Sequence, residues 1–199
     1  MKSAYILAEI GVNHTGSQDL AVEMIETASL AGANGVKFQC YQAEKLAAEN
    51  SPAYWDTSEE AETTQYSLFK KLESSDLSFY QPLIQACKKF NVDFVSTCFD
   101  QELVDLFDPF LPFHKISSSD ITNIPLIDHI ISKDKPIILS TGASTLSEID
   151  FTVQHIKSKT NNDLTVLHCV LNYPCSIENA NISMVATLKD RYFDQNIRI

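Results

Sequence analysis

The stretch HKISSSDITNIPLIDHIISKDKPIILST, residues 114–141, contains one complete strand–helix–strand unit. Two apolar runs, His114–Ser118 and Pro136–Thr141, end on hydroxyl side chains, and Ile124–Ser132 between them has helical periodicity. The run Ile137–Leu139 is continuously apolar and does not alternate, which is typical of a parallel strand covered by helices on both faces. The stretch therefore predicts a βα repeat within a parallel sheet.

The same unit recurs along the chain. Six apolar runs each end on a residue able to handle an anion or a proton: Ala4–Glu9, Gly35–Gln39, Val92–Thr97, His114–Ser118, Pro136–Thr141 and Leu164–Cys169. Asn196–Ile199 is predicted to begin a seventh strand. Because a (β/α)₈ enzyme builds its active site at the C-terminal ends of its strands, this layout predicts an incomplete TIM barrel of about six βα units. A doubly wound sheet, the alternative, more often carries GxGxxG after its first strand, and Gly11–Ser17 is GVNHTGS.

The segments between the runs are predicted helices, with one exception. Ser17 is a candidate N-cap of the first, and Gly32 ends it. The later helices are expected at Thr64–Leu72, Ser78–Phe90, Gln101–Phe107, Ile124–Ser132, Ser144–Lys157 and Ile182–Tyr192. The exception is Tyr41–Glu73, a long βα loop around Trp55 that includes the helix-like stretch Thr64–Leu72 and that either shapes a substrate pocket or is a surface excursion.

Composition bounds the function. The 199 residues suit a single domain, although a closed barrel of this type usually needs about 250. A formal net charge of −11 argues against nucleic acid or an anionic membrane as partner, so an anionic substrate would need lysines that converge locally. Five cysteines without CxxC spacing and no secretory signal indicate reduced thiols in a cytoplasmic protein. Cys98 is either a reactive thiol or, as we favour, a buried inert one.

Lysines and hydroxyls at the predicted strand ends indicate an anion site. Two ammonium groups and several hydroxyls at one rim suit a phosphate or a carboxylate, and the candidates are Lys37, Lys115, Ser118, Ser140 and Thr97. The alternatives are a salt bridge in the barrel mouth and a Schiff-base lysine. Glu9 could orient a sugar hydroxyl, shuttle a proton or pair with a lysine. His14 and His168 lack metal-site spacing.

Seven segments, in order and in register, carry a family resemblance. They are AEIGVNHTGS (Ala8–Ser17), AGANGVKFQ (Ala31–Gln39), KKLESS (Lys70–Ser75), FVSTCFD (Phe94–Asp100), HKISSSDITNIPLI (His114–Ile127), KPIILSTGASTLSEI (Lys135–Ile149) and LHCVLNYP (Leu167–Pro174). Together they resemble the sialic acid synthase family.

The resemblance implies an enzyme that condenses phosphoenolpyruvate with N-acetylmannosamine, or a related amino sugar, to give a nonulosonic acid and phosphate. It implies catalytic roles for Glu9, Lys37, Lys115 and Tyr173. It implies substrate-binding roles for Gln39, Thr97, Ser118, Asp120, Ser140 and Asn172. The stretch HCVLNYP is more similar to the sialic and legionaminic branches than to the pseudaminic branch, which tends toward Lys at the position of His168.

The family uses a divalent metal, Mn or Mg, as a Lewis acid. Its histidine ligands are expected in loops after strands seven and eight, beyond Ile199, so no metal ligand is expected in this chain. The family's C-terminal antifreeze-like domain is likewise expected to be absent, and the full-length family is expected to form homodimers. The chain is therefore expected to be a fragment, a split gene product or a truncated reading frame.

Three residues depart from the family pattern. The family has Ser-Gly-Glu where this chain has Ser118-Ser119-Asp120, so the carboxylate is one methylene shorter, and it has Pro where Cys98 stands. Two alternatives to the synthase remain. One is a non-catalytic piece that binds phosphoenolpyruvate or pairs with a complementary chain, and the other is a Schiff-base aldolase.

Overall fold

The computed structural model describes residues 4–74 and 76–199. The chain divides into two compact units, of which the first ends at Leu111 and the second begins at Pro112. The first unit contains β1 (Leu7–Gly11), α1 (Gln18–Leu30), β2 (Gly35–Cys40), α2 (Ala43–Leu46), α3 (Gln65–Leu72), α4 (Leu77–Phe90), β3 (Asp93–Cys98), α5 (Gln101–Phe107) and a 3-10 turn, Asp108–Phe110. The second contains β4 (His114–Ile116), a 3-10 turn at Ser118–Asp120, α6 (Ile124–Ile131), β5 (Ile137–Ser140), α7 (Leu146–Lys159), β6 (Leu164–Leu167), a 3-10 turn at Ile177–Asn179, α8 (Met184–Arg191) and β7 (Ile197–Arg198).

Every described strand pairing in the two sheets is parallel. The first unit holds a three-stranded sheet in the order β1-β2-β3, and the second a four-stranded sheet in the order β4-β5-β6-β7. Strands that are neighbours in the sheet are therefore neighbours in sequence, and a helix lies between each pair along the chain. This is the predicted βα repeat, and its seven strands match the six predicted units and the start of a seventh.

The strands are shifted or shorter at several predicted ends. β1 begins at Leu7, three residues after the predicted start, and β4 ends at Ile116, so Ser118 lies in the 3-10 turn that follows. Hydroxyl side chains there bond to the backbone of their own turn, as Ser117 does by accepting from the Ser119 amide. Of the segment Lys70–Ser75, Ser75 lies outside the described residues.

Helix ends follow capping chemistry. The Ser17 hydroxyl accepts from the Leu20 amide at the start of α1, and Gly32 follows its end at φ +88°. α7 begins with a complete capping box in which Thr145 and Glu148 satisfy each other's backbone amides. α8 begins at Met184, because the predicted start at Ile182 is a turn whose side chain is exposed.

The first unit has an aromatic core. Phe38 of β2 stacks on Phe94 of β3 with ring centroids 5.6 Å apart, and Tyr80 of α4 meets Phe107 edge-on at 5.0 Å. Such offset and edge-on pairs are the favoured aromatic geometries. The Tyr80 hydroxyl lies 3.0 Å from the carbonyl oxygens of both Gln39 and Ser74, so this ring also anchors the C-terminal end of β2.

The core of the second unit is aliphatic. Its fully buried side chains come from one face of each strand and helix and include Ile116, Ile127, Ile130, Ile137, Leu139, Val153, Ile156, Leu164 and Val166. The fully buried Thr152 of α7 is a polar side chain in this region, and its hydroxyl donates to the Ile121 carbonyl at 2.6 Å. This bond ties α7 to the segment that precedes α6.

A β-bulge interrupts β1. Glu9 pairs with Lys37 in the ladder, but Gly11 pairs with Phe38, so two steps on β1 oppose one step on β2. Ile10, the extra residue, is 5% exposed and lies in the core. Gly11 has φ +57°, a left-handed conformation that glycine adopts without strain.

Candidate functional site

Lys37 is the centre of the polar cluster in the first unit. Its side chain is only 5% exposed, and its ammonium donates to Thr97 Oγ1 at 3.2 Å and to the Phe38 carbonyl at 3.4 Å. It also forms an ion pair with Glu9 Oε2 at 2.9 Å. Strand register explains the meeting, because Glu9 lies opposite Lys37 on the neighbouring strand. A buried ammonium is stable only when it is paired and hydrogen-bonded, and these three acceptors satisfy it.

The carboxylate of Glu9 lies beside Gly11, which has no side chain. A Cβ added at Gly11 would lie 3.3 Å from Glu9 Oε1 and 3.9 Å from Gln39 Oε1. The Glu9 side chain is 55% exposed, so one carboxylate oxygen faces the lysine while the rest of the group is open to solvent. Glu9, Lys37, Gln39 and Thr97 are thus gathered at the C-terminal ends of β1, β2 and β3. Gly11 belongs with them, and sequence reasoning missed it.

Lys115 has an equivalent position in the second unit. It is 8% exposed, and its ammonium donates to Ser140 Oγ at 2.5 Å and to the Ile116 carbonyl at 3.0 Å. Cys169 also donates to Ser140 Oγ, at 3.5 Å. Each of the two lysines thus bonds the carbonyl of the next residue and a hydroxyl on the neighbouring strand.

The loops after β4 and β5 meet at Ser118. A Cβ added at Gly142 would lie 3.1 Å from Ser118 Oγ, so the serine hydroxyl packs against the glycine backbone that follows β5. Ser140 is the last residue of β5. Ser118 therefore lies beside the loop that follows Ser140, the serine to which Lys115 donates.

Asp120 ends the 3-10 turn after β4. Its carboxylate accepts from Asn123 Nδ2 at 3.1 Å and from the Ser119 hydroxyl at 3.3 Å. Partial burial raises the pKa of Asp120, and the two hydrogen bonds oppose that rise. Asn123 was not among the residues predicted for the site, although an Asn before an apolar helical run is a recognisable capping signal.

Asn172 and Tyr173 lie on the loop between β6 and α8. Both side chains are exposed, Tyr173 by 82%. The loop is anchored by His168, whose Nε2 lies 2.8 Å from the Ala180 carbonyl. Their role in a substrate pocket remains a prediction.

The two remaining candidate groups are buried. His14 is fully buried, its Nδ1 accepts from the Gly16 amide at 3.1 Å, and burial lowers its pKa. Cys98 is 4% exposed, and burial raises its pKa to about 12, so its thiol is inert. Within residues 4–74 and 76–199, no three His, Cys, Asp or Glu side chains are grouped as a metal site would need. The described residues therefore do not fit the divalent metal that the resemblance implies.

Comparison with known proteins identifies the family of this chain. Residues 24–197 match the model of the NeuB family. The chain belongs to the NeuB family. The N,N'-diacetyllegionaminic acid synthase of Campylobacter jejuni is 38% identical over 198 residues, and the enzyme of that name from Legionella pneumophila is 34% identical over 197. Each alignment covers 96% of this chain, but only 59% and 55% of the respective relatives.

A solved structure shares the fold. The N-acetylneuraminic acid synthetase of Leptospira borgpetersenii, crystallised with citrate, superposes with a TM-score of 0.84 and 34% identity. The overlap covers 96% of this chain and 62% of that one. This confirms the predicted class, an α/β fold of the incomplete (β/α)₈ type. The chain spans somewhat more than half the length of the relatives that it matches.

No helix in the described part of the chain is both long enough and apolar enough to cross a membrane.

Proposed function

We propose that this chain carries part of the active site of a nonulosonate synthase, which joins phosphoenolpyruvate to N-acetylmannosamine or a related amino sugar. The observation that supports it best is the pair of buried lysines, Lys37 and Lys115, each at a parallel strand and each bonded to a hydroxyl of the next strand. Ammonium and hydroxyl donors held rigidly in this way suit the phosphate and carboxylate of phosphoenolpyruvate. Family membership supports the same reaction class.

The lysines would act through charge. Thr97, Ser118 and Ser140 would supply further hydrogen bonds to the phosphate and carboxylate. Because neighbouring strands already hold the ammonium groups in place, they need not reorganise as charge develops on the departing phosphate.

The reaction has three bond changes. C3 of phosphoenolpyruvate attacks the aldehyde carbon of the open-chain sugar and forms a C–C bond. Water adds to C2, and its lost proton balances the one taken up by the new sugar hydroxyl. The bond between C2 and the phosphate oxygen then breaks, the proton of the C2 hydroxyl leaves with the phosphate, and C2 becomes the ketone carbon. Glu9 and Asp120 would contact the sugar, Gln39 would assist, and Asp120, whose pKa is raised, is the better placed to hold a proton for the aldehyde oxygen.

The sugar is proposed from sequence and relatives together. His168 is the residue of the sialic and legionaminic pattern, and the Campylobacter and Legionella relatives are named as legionaminic acid synthases. We therefore propose an N-acetylmannosamine-type acceptor over a pseudaminic precursor. A cytoplasmic location and a homodimeric full-length protein belong to the same proposal.

The test is phosphate release from phosphoenolpyruvate in the presence of manganese, with N-acetylmannosamine and, in parallel, with related amino sugars. We would compare the 199-residue chain with one extended through two further βα units. Sugar-dependent release from either supports the synthase, and none from folded samples of both would overturn it. Phosphoenolpyruvate binding without release would favour a non-catalytic binding piece. A borohydride-trapped pyruvate adduct on Lys37 or Lys115 would instead indicate a Schiff-base aldolase.

A further inference from the structure

The carboxylate of Asp120 is held by its own segment of chain. Its two described donors, the Ser119 hydroxyl and the Asn123 amide, lie one residue before and three residues after it. Ser119 is exposed, and its hydroxyl also reaches Ser117 Oγ at 3.0 Å, so it is a shared and solvated donor. Asn123 is half-buried and is the better fixed of the two.

Asn123 is fixed because both ends of its amide are used. Its Oδ1 accepts from the Leu126 backbone amide at 3.3 Å and so caps the N-terminus of α6. Its Nδ2 donates to Asp120 Oδ1 at 3.1 Å. The two bonds assign the amide orientation, because a backbone N–H can meet only the oxygen and a carboxylate can meet only the NH₂.

The helix behind the cap is firmly packed. α6 presents Leu126, Ile127 and Ile130 to the core, where each is at most 4% exposed. The segment just before it is fastened by the bond from Thr152 to the Ile121 carbonyl. The amide that reaches Asp120 is therefore mounted on a rigid element, which is what a precise site requires.

We propose that Asn123 is a positioning residue for Asp120: one amide both starts α6 and fixes the rotamer of the carboxylate that meets the sugar. The inference rests on the proposed function for the role of Asp120, but the contact can be tested without turnover. It also bears on the family difference at this position. The position of an aspartate carboxylate depends more on the backbone of its turn than that of a glutamate does, because the aspartate side chain has one rotatable bond fewer.

Two substitutions separate the cap from the contact. Asn123→Ser and Asn123→Asp both keep a good N-cap oxygen, so α6 should form in each. Serine removes the donor to Asp120, and aspartate replaces it with a like charge. Asp76→Ser is the matched control, because it exchanges one good cap for another at the start of α4.

The first measurement is the pKa of Asp120 by carboxyl ¹³C NMR in the 199-residue chain. Loss of a hydrogen bond to the charged form should raise it by roughly 0.5 to 1 unit in Asn123→Ser, and the like charge should raise it further in Asn123→Asp. Asp76→Ser should leave it unchanged. An unchanged Asp120 pKa in both Asn123 variants, with dispersed native spectra, overturns the inference.

The second measurement is steady-state phosphate release by the extended chain. Asn123→Ser should lower kcat/KM for the amino sugar by about tenfold and leave the KM for phosphoenolpyruvate unchanged. If the wild-type chain releases phosphate and Asn123→Ser has the same kcat/KM for the amino sugar as Asp76→Ser, the positioning role is overturned while the synthase stands. A shifted Asp120 pKa in a wild-type protein that never releases phosphate would support the contact and overturn the proposed function.

Discussion

The two units each place a carboxylate near the strand ends, and they hold it by opposite means. In the first unit Glu9 is gripped by a buried ammonium, Lys37, at 2.9 Å. In the second, Asp120 accepts from a neutral amide and a hydroxyl on its own turn, and partial burial raises its pKa. Glu9 is more than half exposed and is held across strands, whereas Asp120 is partly buried and is held within one loop.

If both carboxylates meet the sugar as proposed, the difference predicts a division of labour between them. A carboxylate that is ion-paired with an ammonium is suited to orient a hydroxyl, because the ion pair fixes the position of the carboxylate. A carboxylate that is held by neutral donors and whose pKa is raised by partial burial, as in Asp120, is suited to exchange a proton. The same repeat would thus supply two chemistries from one functional group, the carboxylate.

The largest expected effect comes from removing the lysines. Lys37→Met and Lys115→Met should each lower phosphate release by about 100- to 1,000-fold, the usual cost of one preorganised electrostatic contact. Only Lys37→Met also frees Glu9, so only that variant should raise the KM for the sugar. Steady-state kinetics in both substrates would measure this, with exposed Lys88→Met on α4 as the control. Equal sugar KM values in the two lysine variants would refute the idea that Lys37 positions Glu9.

A smaller effect is expected at the bulge. Gly11→Ala should lower kcat/KM for the sugar by about 10- to 100-fold, because the new Cβ would press on Glu9 Oε1 and shift the carboxylate whose other oxygen, Oε2, pairs with Lys37. Gly16→Ala is a matched control: Gly16 also has positive φ, at +80°, but nothing lies within 4 Å of its added Cβ. Both variants should lose similar thermal stability from backbone strain. Similar kinetic losses in both would show that strain alone is responsible.

The smallest expected effect is on stability, and its sign differs between the carboxylates. Since the pKa of Asp120 is higher in the folded chain, its ionisation weakens folding as pH rises above the ordinary Asp value of 3.8 through the folded pKa. Asp120→Asn removes that penalty and should raise Tm at neutral pH, with the gain fading as pH falls through this window. Glu9→Gln should instead lower Tm, because it breaks an ion pair to a buried lysine. Thermal melts of both variants from about pH 3.5 to about 7.5 would measure these changes. A lower Tm for Asp120→Asn at neutral pH would contradict the expected penalty from the ionised Asp120.

The repeat was predictable because its signals are local. Apolar runs, Pro125 at the start of α6, the cap at Ser17 and the stop at Gly32 all act through neighbouring residues, and the helix Gln101–Phe107 was predicted with its observed bounds. The pairing of Glu9 with Lys37 was one of several options, and strand register decided it.

What the sequence did not reveal depends on three-dimensional placement. Gly11 matters because a bulge turns its missing side chain toward Glu9, and a bulge leaves no periodic signature. In the sequence Asn123 is recognisable only as a helix cap, and its hydrogen bond to Asp120 is visible only in the structure. Tyr80 is the largest fully buried side chain of α4, and apolar periodicity gives little weight to a hydroxylated ring.

The loop after β2 contains the chain's single tryptophan. The Trp55 indole N–H lies within 3.2 Å of the Glu60 and Glu62 carbonyls, and Tyr54 meets the ring edge-on with centroids 5.0 Å apart. Indole fluorescence is therefore a local reporter of this loop. A denaturation curve followed by tryptophan emission would register the opening of residues 47–64, while far-UV dichroism would follow the helices, and the two midpoints need not coincide.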